Sequence, residues 1–333
     1  MKFRTASVAV GLLATSANAA SSHQTFKVPK EPLRVETFIN PGPSLDMVSS
    51  LIIGSEAAVL IDMPLAIPQA KNLASWIKNT TDKPLVSVFT THFHPDHYLS
   101  GAAVLEEFPD TKYYANSHAV AHIEVEAVRK VAQWKDTLGN DAIVDTVAIP
   151  TPHDFTFFTL PGDEDTPVEL LSPPGGNTID ETFFWIPSIK TVIAGDSVYS
   201  HQMHMWLADL LTPELTESWL TTIEFISYLE PSLIIPGHAL DNTIFGSAVD
   251  LEHTYSYVKY FKDNIESKGI NSFTPQEISN MLNSTFPGLA ETTTSATLLN
   301  ITAEEFGRGG SRQPRFTDLH VYNNLQVLDG WIL

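Results

Sequence analysis

Apolar residues along the chain alternate between runs typical of short strands and spacings typical of amphipathic helices. Strand-like runs separated by turn-forming residues open the chain, at residues 35–38, 49–53 and 57–61. Residues 68–78 then carry apolar side chains at the spacing of a helix with one buried face. Residues 85–89 return to a strand pattern, so this region predicts a strand–helix–strand unit.

The same two patterns continue to the end of the chain. Further helices are predicted at residues 101–108, 118–138, 215–228, 250–267 and 275–282. Further strands are predicted at residues 155–159, 168–171, 182–186, 191–194 and 233–235. Because no repeat or long linker interrupts them, we expect one domain over residues 31–245 and a helical extension over residues 246–333 that packs on it.

The N-terminus has the pattern of a cleaved signal peptide. Lys2 and Arg4 precede an apolar run, and Ala17-Asn18-Ala19 offers the small residues of a cleavage site. We therefore expect residues 1–19 to be removed, residues 20–30 to be loose, and the protein to be secreted to the extracellular space or cell wall. Three glycosylation triplets fit a secreted glycoprotein and begin at Asn79, Asn283 and Asn300.

Charge and cysteine content limit the partners and the metal ligands. The chain has 19 basic and 39 acidic residues, a formal net charge of −20, which repels nucleic-acid phosphates and anionic lipids. No later stretch is apolar enough to span a membrane. Without cysteine, a metal must be bound by nitrogen and oxygen. We expect a small-molecule substrate and neither a nucleic-acid nor a membrane partner.

Four metal-binding side chains lie in one short loop, Thr91-His92-Phe93-His94-Pro95-Asp96-His97, directly after the predicted strand 85–89. His92 and His94 can turn their rings to one side of the loop, and Asp96 and His97 can face a second point nearby. Two adjacent cations are then feasible. Imidazole and carboxylate ligands without thiolate suit Zn²⁺, with Fe or Mn also compatible.

This histidine-rich loop after a strand resembles the metallo-β-lactamase superfamily, over roughly residues 35–245. The resemblance implies an α+β fold, a four-layer αβ/βα sandwich with the site at its edge, and a metal-dependent hydrolase. It also implies a bridging aspartate and a closing histidine. Ile193-Ala194-Gly195-Asp196 and Ile234-Ile235-Pro236-Gly237-His238 match these two segments.

The resemblance implies two metal positions. The second position consists of Asp96, His97, Asp196 and His238. The first position consists of His92, His94 and a third histidine, but Asn177 stands where the family usually has that histidine, in Gly176-Asn177-Thr178. Because an amide oxygen is a poorer zinc ligand than imidazole, we expect the second position to bind more tightly, giving one or two zinc ions per chain.

The replacement of the third histidine leaves two interpretations open for the histidines that follow Asp196. His201 or His204 can act as the substitute ligand, or both can be wall or surface residues, which we favour.

The predicted activity is hydrolysis of a carbonyl compound, a lactone, ester, lactam or thioester, with lactone or ester preferred. Metal-activated water would attack the carbonyl, and Asp96 would orient this water or transfer a proton. Tyr199, three residues after Asp196, resembles the tyrosine that positions the substrate carbonyl in the lactonase branch. Two alternatives stay open: a non-catalytic or single-metal binding protein that has lost its first metal position, and a thioesterase of the same superfamily.

Overall fold

The structure is a computed structural model that describes residues 33–172, 174–269 and 271–309. Its strands are β1 Arg34–Asn40, β2 Met47–Ile53, β3 Ala58–Ile61, β4 Leu85–Phe89, β5 Lys112–Ala115, β6 Thr151–Pro152, β7 Phe157–Phe158, β8 Val168–Leu171, β9 Phe183–Ile186, β10 Thr191–Ile193 and β11 Leu233–Ile235. Its helices are α1 Ile67–Thr80, α2 Gly101–Leu105, α3 Ser117–Leu138, α4 Pro213–Tyr228, α5 Val249–Asn264, α6 Pro275–Thr285 and α7 Thr293–Phe306. The predicted signal peptide 1–19 and loose segment 20–30 lie outside the described residues.

The strands form two mixed sheets. The first has the order β1-β2-β3-β4-β5-β6, and its neighbours from β3 to β6 are parallel. The second has the order β11-β10-β9-β8-β7, with β10 and β11 parallel. Because parallel neighbours end at the same edge of a sheet, the loops after β3 and β4 lie side by side, as do those after β10 and β11.

Three apolar cores separate four layers. Ile52 and Phe89 of the first sheet pack with Phe184 of the second in the core between the sheets. Since successive strand residues face opposite sides, the neighbouring Leu51 packs instead with the core that contains α1 to α3. Trp185 likewise packs on the opposite side of the second sheet, with α4 to α7. The predicted four-layer α+β sandwich is therefore confirmed.

Local sequence explains most of these elements. The predicted face of α1 is buried in full, at Ala70, Leu73, Ala74 and Ile77. Helix α6 begins at a capping box, in which Thr274 and Glu277 each bond the backbone of the other. The predicted strand 155–159 shortens to β7, because only Phe157 and Phe158 pair with β8.

Three elements are not evident from the pattern, one of which is the two-residue strand β6. Strand β5 has only four residues and lies between a turn and the start of α3. Helix α7 buries polar residues, including Thr294, Ser295 and Thr302, together with apolar ones, so its buried face is not evident as an apolar stripe in the sequence. It packs with α5 and α6 on α4, which places the end of the described chain in the same core as the second sheet.

Among the helices of the described residues, none combines the length and the apolar character needed to cross a bilayer.

Candidate metal centre

Four loops that leave the ends of neighbouring strands bring the predicted ligands together. The histidine-rich loop follows β4 and forms a helical turn at Pro95–His97. Asp196 lies in a similar turn after β10, and His238 follows β11. Asn177 lies in the loop between β8 and β9. The predicted ligands are all buried, although they extend along the chain from His92 to His238.

The donor atoms of the second position have the spacing of ligands around one metal ion. His97 Nε2 lies 3.2 Å from Asp196 Oδ1 and 3.3 Å from His238 Nε2. Asp96 Oδ2 lies 3.8 Å from His97 Nε2 and 3.3 Å from His238 Nε2. Tetrahedral ligands bound at about 2.0–2.2 Å from zinc are about 3.3–3.6 Å apart. Asp96, His97 and His238 therefore have the spacing of three ligands of one zinc ion. Asp196 lies beside His97 and His238 but forms its own three-residue group with His92 and His97.

Hydrogen bonds on the far side of each ring strengthen this fit. His97 Nδ1 lies 2.8 Å from Asp62 Oδ2, and His238 Nδ1 lies 2.8 Å from the carbonyl oxygen of Leu45. Because both acceptors require an N–H donor, each neutral ring carries its lone pair on Nε2. Two lone pairs that face each other at 3.3 Å repel unless a cation lies between them.

The carboxylates of this position favour positive charge. Burial alone would lower the pKa of His238, but Asp196 and Asp96 outweigh it and raise that pKa to about 10. Burial also disfavours the charged form of Asp196, but His238 and His97 hold its pKa well below its ordinary value. The position is thus a buried site for a cation, which the metal would occupy in place of protons.

Asp62 is a residue of the site that the sequence pattern did not indicate. It follows β3, and its Oδ1 accepts from the backbone N–H of Thr91 while its Oδ2 accepts from Thr91 Oγ1 and faces His97. Asp62 has a φ of 64°, a conformation that is uncommon for a residue with a side chain. A carboxylate directly after a strand parallel to β4 is the signal that would have located it.

At the first position, two imidazoles also direct a lone pair inward. Thr91 Oγ1 gives its proton to Asp62, so it accepts from His92 Nδ1 at 2.9 Å and leaves the lone pair on His92 Nε2. His92 Nε2 is buried without a hydrogen-bond partner. Asp209 Oδ2 lies 2.8 Å from His94 Nε2 and orients His94 so that Nδ1 faces inward. Asp209 is the second site residue that the sequence pattern did not indicate.

An amide nitrogen replaces the third imidazole. Asn177 Nδ2 lies 2.6 Å from Asp196 Oδ2, 2.9 Å from the hydroxyl of Tyr199 and 3.3 Å from His94 Nδ1. In this orientation Asn177 is a donor and its Oδ1 is buried without a partner. The first position is therefore linked by hydrogen bonds and lacks a third ligand.

Tyr199 contacts both the centre and its neighbour Asn177. Its hydroxyl donates to Asp196 Oδ2 at 2.6 Å, and its ring stacks on His238 with centroids 5.3 Å apart. Burial and the Asp196 carboxylate raise the pKa of Tyr199 well above its ordinary value. Tyr199 stays protonated and directs its proton to Asp196.

The two histidines considered as substitute ligands lie elsewhere. His204 is buried, with Nδ1 at 2.8 Å from the hydroxyl of Tyr257 and Nε2 at 3.1 Å from Asn283 Oδ1. His201 Nδ1 lies 2.6 Å from Asp250 Oδ1. Since both nitrogens of His204 bond to residues of α5 and α6, the structure does not bring His204 to the centre, and the substitute-ligand interpretation is corrected.

A small cavity of about 70 Å³ opens onto the centre. Its floor includes His94, Asp96, Asp196 and His238. Its walls are mostly apolar and consist of Leu45, Pro95, Trp134, Tyr199, Trp206, Thr297, Leu298 and Ile301. The centre is therefore accessible to a ligand through an apolar space.

Comparison with known proteins agrees with this geometry. The sequence profile of the metallo-beta-lactamase superfamily matches residues 44–238, more than half of the chain. The chain belongs to the metallo-beta-lactamase superfamily. The matched residues include Asn177 and all six predicted histidine and aspartate ligands, and they end before α5.

Individual metallo-beta-lactamases are distant relatives. IND-1 of Chryseobacterium indologenes is 26% identical over 194 residues, 57% of this chain and 70% of that protein. A metallo-beta-lactamase structure from Pontibacter korlensis is 20% identical with a TM-score of 0.47, covering 68% of this chain and 99% of its own. The structure of DIM-1 metallo-beta-lactamase exposed to ceftazidime is 19% identical with a TM-score of 0.46, covering 70% and 99%.

Membership of the metallo-beta-lactamase superfamily, together with the clustered histidines and aspartates, identifies the protein as a metal-dependent hydrolase. The prediction of the family and of the enzyme class is confirmed.

Proposed function

We propose that the protein hydrolyses a lactone or carboxylic ester and uses one zinc ion held by Asp96, His97, Asp196 and His238. The observation that carries this proposal is the pair of opposed Nε2 atoms of His97 and His238, 3.3 Å apart between two aspartates. This arrangement adjoins an apolar cavity, where a substrate carbonyl can approach the ligands without bulk water.

Zinc, when bound, supplies a lowered water pKa and polarises the carbonyl oxygen of the substrate. Residues of the chain position the attacking water and transfer its proton. Asp96 lies on the cavity floor, where its carboxylate holds the attacking water, accepts its proton and returns that proton to the leaving oxygen. His238 and His97 overcome the effect of burial and keep the pKa of Asp96 below its ordinary value, so Asp96 is an ionised carboxylate that can accept a hydrogen bond from the attacking water.

Tyr199 acts as a positioning residue in this proposal. Its proton is directed to Asp196 Oδ2 at 2.6 Å, and Asn177 donates to its hydroxyl oxygen. The hydroxyl therefore donates one hydrogen bond and accepts another, and this fixes the position of Asp196 Oδ2. Tyr199→Phe should weaken zinc binding more than it raises KM, whereas a residue that binds the substrate carbonyl would mainly raise KM.

Assays on γ-butyrolactone, 4-nitrophenyl acetate and nitrocefin test the proposed activity. The zinc-loaded protein should hydrolyse the first two better than nitrocefin, and a chelator should abolish the activity until zinc is restored. Asp96→Ala should lose at least about 100-fold in kcat, while Asp110→Ala, at an exposed aspartate, should not change it. A zinc-loaded, folded protein that is inert on all three compounds would refute the proposal.

The second candidate is a non-catalytic, single-metal binding protein. The hydrogen bonds from Asn177 to Asp196 and Tyr199 favour it, because they hold the first position together without a metal. The same assays separate the two candidates, since a binding protein retains zinc and shows no turnover.

We also propose that the protein is exported. The support is the order of Lys2 and Arg4, an apolar run and Ala17-Asn18-Ala19. Protein recovered from culture medium should begin after Ala19, and a retained Met1 would contradict export by cleavage.

A further inference from the structure

We infer that helix α7 selects small, uncharged substrates, because Leu298 and Ile301 roof the metal centre and Trp134 offers a hydrogen bond to the substrate. The inference rests on the proposed function and names the substrate class of the same site. Helix α7 lies beyond residues 44–238, so this roof is outside the segment that the superfamily profile matches.

Three side chains of one helix face line the cavity. Thr297, Leu298 and Ile301 lie at helical spacing on α7 and line the same cavity as Asp96 and His238. Sites for drug-sized ligands have volumes of about 300–1,000 Å³, whereas this cavity has about 70 Å³. The space fits a ligand of few heavy atoms and no long side chain.

The roof is fixed to the segment that follows the centre. Ser295 Oγ accepts from the backbone N–H of His204 at 2.8 Å, near the start of α7. Thr302 Oγ1 accepts from the backbone N–H of Leu207 at 3.2 Å and donates to the carbonyl oxygen of Met205 at 3.3 Å. Bonds on both sides of Leu298 hold this part of α7 in place.

The described side chains of the cavity walls offer no lysine or arginine to an anionic substrate. Among the described residues that line it, none is lysine or arginine, and two are Asp96 and Asp196. The whole chain carries a net charge of −20. Away from the metal and its ligands, a substrate carboxylate or phosphate would find no lysine or arginine in these walls, so a substrate whose other parts are uncharged is favoured.

The two tryptophans of the cavity differ in their hydrogen bonds. Trp206 Nε1 donates to Asp209 Oδ2 at 2.9 Å. Trp134 Nε1 is buried and has no hydrogen-bond partner. Because a buried N–H without an acceptor is unfavourable, Trp134 is the donor that a ligand oxygen can satisfy. The substrate class is thus a small lactone or ester with a short alkyl part.

Binding of alkyl hydroxamates tests the roof independently of turnover. Zinc-loaded protein is titrated with acetohydroxamate and octanohydroxamate, which carry the same metal-binding group on short and long chains. In the double variant Leu298→Ala/Ile301→Ala, the affinity ratio of long to short chain should rise at least about tenfold over wild type. Thr293→Ala, an exposed residue at the start of α7, is the matched control and should keep the wild-type ratio.

The same variants are then assayed on γ-butyrolactone and γ-nonalactone, with zinc content measured for each. Relative kcat/KM for the longer lactone should rise at least about tenfold in the double variant. Trp134→Phe, which keeps an aromatic ring, should raise KM for γ-butyrolactone about tenfold and leave zinc content unchanged.

Equal long-to-short affinity ratios of the hydroxamates in wild type and in a folded, zinc-loaded double variant would overturn the proposed roof. An unchanged KM for γ-butyrolactone in Trp134→Phe would overturn the proposed hydrogen bond. If the hydroxamate ratio shifts but no lactone is hydrolysed, the proposed function is wrong and the roof is supported.

Discussion

The side-chain amide nitrogen of Asn177 lies 2.6 Å from Oδ2 of Asp196, the carboxylate that the superfamily resemblance assigns as a bridge between two metals. The amide therefore donates a hydrogen bond where a third imidazole would present a lone pair. His92 Nε2 and His94 Nδ1 remain oriented toward this point.

Restoring the third imidazole should create a second metal site. Asn177→His adds a neutral nitrogen ligand to those of His92 and His94, so zinc bound per chain should rise by about one equivalent. Metal analysis after dialysis measures it. Asn177→Ala removes the same hydrogen bonds without adding a ligand and should leave the stoichiometry unchanged. An equal zinc content in both variants would show that the first position lacks more than one ligand.

Two carboxylates behind the ligands should affect zinc differently. Asp62→Asn replaces the oxygen that accepts from His97 with an N–H donor, so zinc affinity should fall about 10- to 100-fold. Asp209→Asn disturbs His94, at the first position, and Trp206 of the cavity wall, and it should change zinc affinity by less than about threefold. Competition with a chromogenic chelator measures both. A larger loss in Asp209→Asn than in Asp62→Asn would reverse our ranking of the two positions.

Gly237 permits the close approach of two loops of the centre. A Cβ on Gly237 would overlap Asp196 Oδ1 and the backbone of Gly195. Gly237→Ala should therefore lower the free energy of unfolding by about 1–3 kcal/mol and remove most of the bound zinc. Gly246→Ala is the matched control, because a Cβ there meets no atom within 4 Å. Equal denaturation midpoints for the two variants would contradict this account.

His204 should make stability depend on pH. Burial lowers the pKa of His204 to about 4, below the value of about 6.5 in an unfolded chain. The unfolded chain therefore binds this proton more readily, so stability is lost as pH falls from about 6.5 towards 4. His204→Gln cannot take up the proton, and its unfolding free energy should fall less than that of wild type between pH 7 and pH 5.

Urea denaturation at the two pH values measures this difference, and the metal ligands titrate equally in both proteins. The variant should also keep the zinc content of wild type, since His204 bonds to Tyr257 and Asn283 and not to the centre. An equal pH dependence of the unfolding free energy in the two proteins would show that a group other than His204 takes up the proton.

The sequence predicts the ligands well because they come in short segments with fixed positions relative to strands. His92 to His97 follow β4, while Asp196 and His238 follow the parallel pair β10 and β11. Supporting contacts are harder to predict. Asp209 reaches His94 across 115 residues of sequence, and no periodic pattern indicates such a pair.

The roof of the centre was also absent from the sequence prediction. Helix α7 buries threonine and serine residues together with apolar ones, so the sequence does not show which side packs on the core and which side faces the cavity. Only the packing of α7 beside Trp206 and the metal ligands reveals that role. The helical extension was expected, but its contribution to the site was not.

Zinc content per chain tests the central claim most directly. Wild-type protein dialysed against metal-free buffer should retain about one equivalent, His92→Ala should retain the same amount, and His238→Ala should retain almost none. Two firmly bound equivalents in wild type, or loss of zinc in His92→Ala but not in His238→Ala, would contradict a single zinc ion at Asp96, His97, Asp196 and His238.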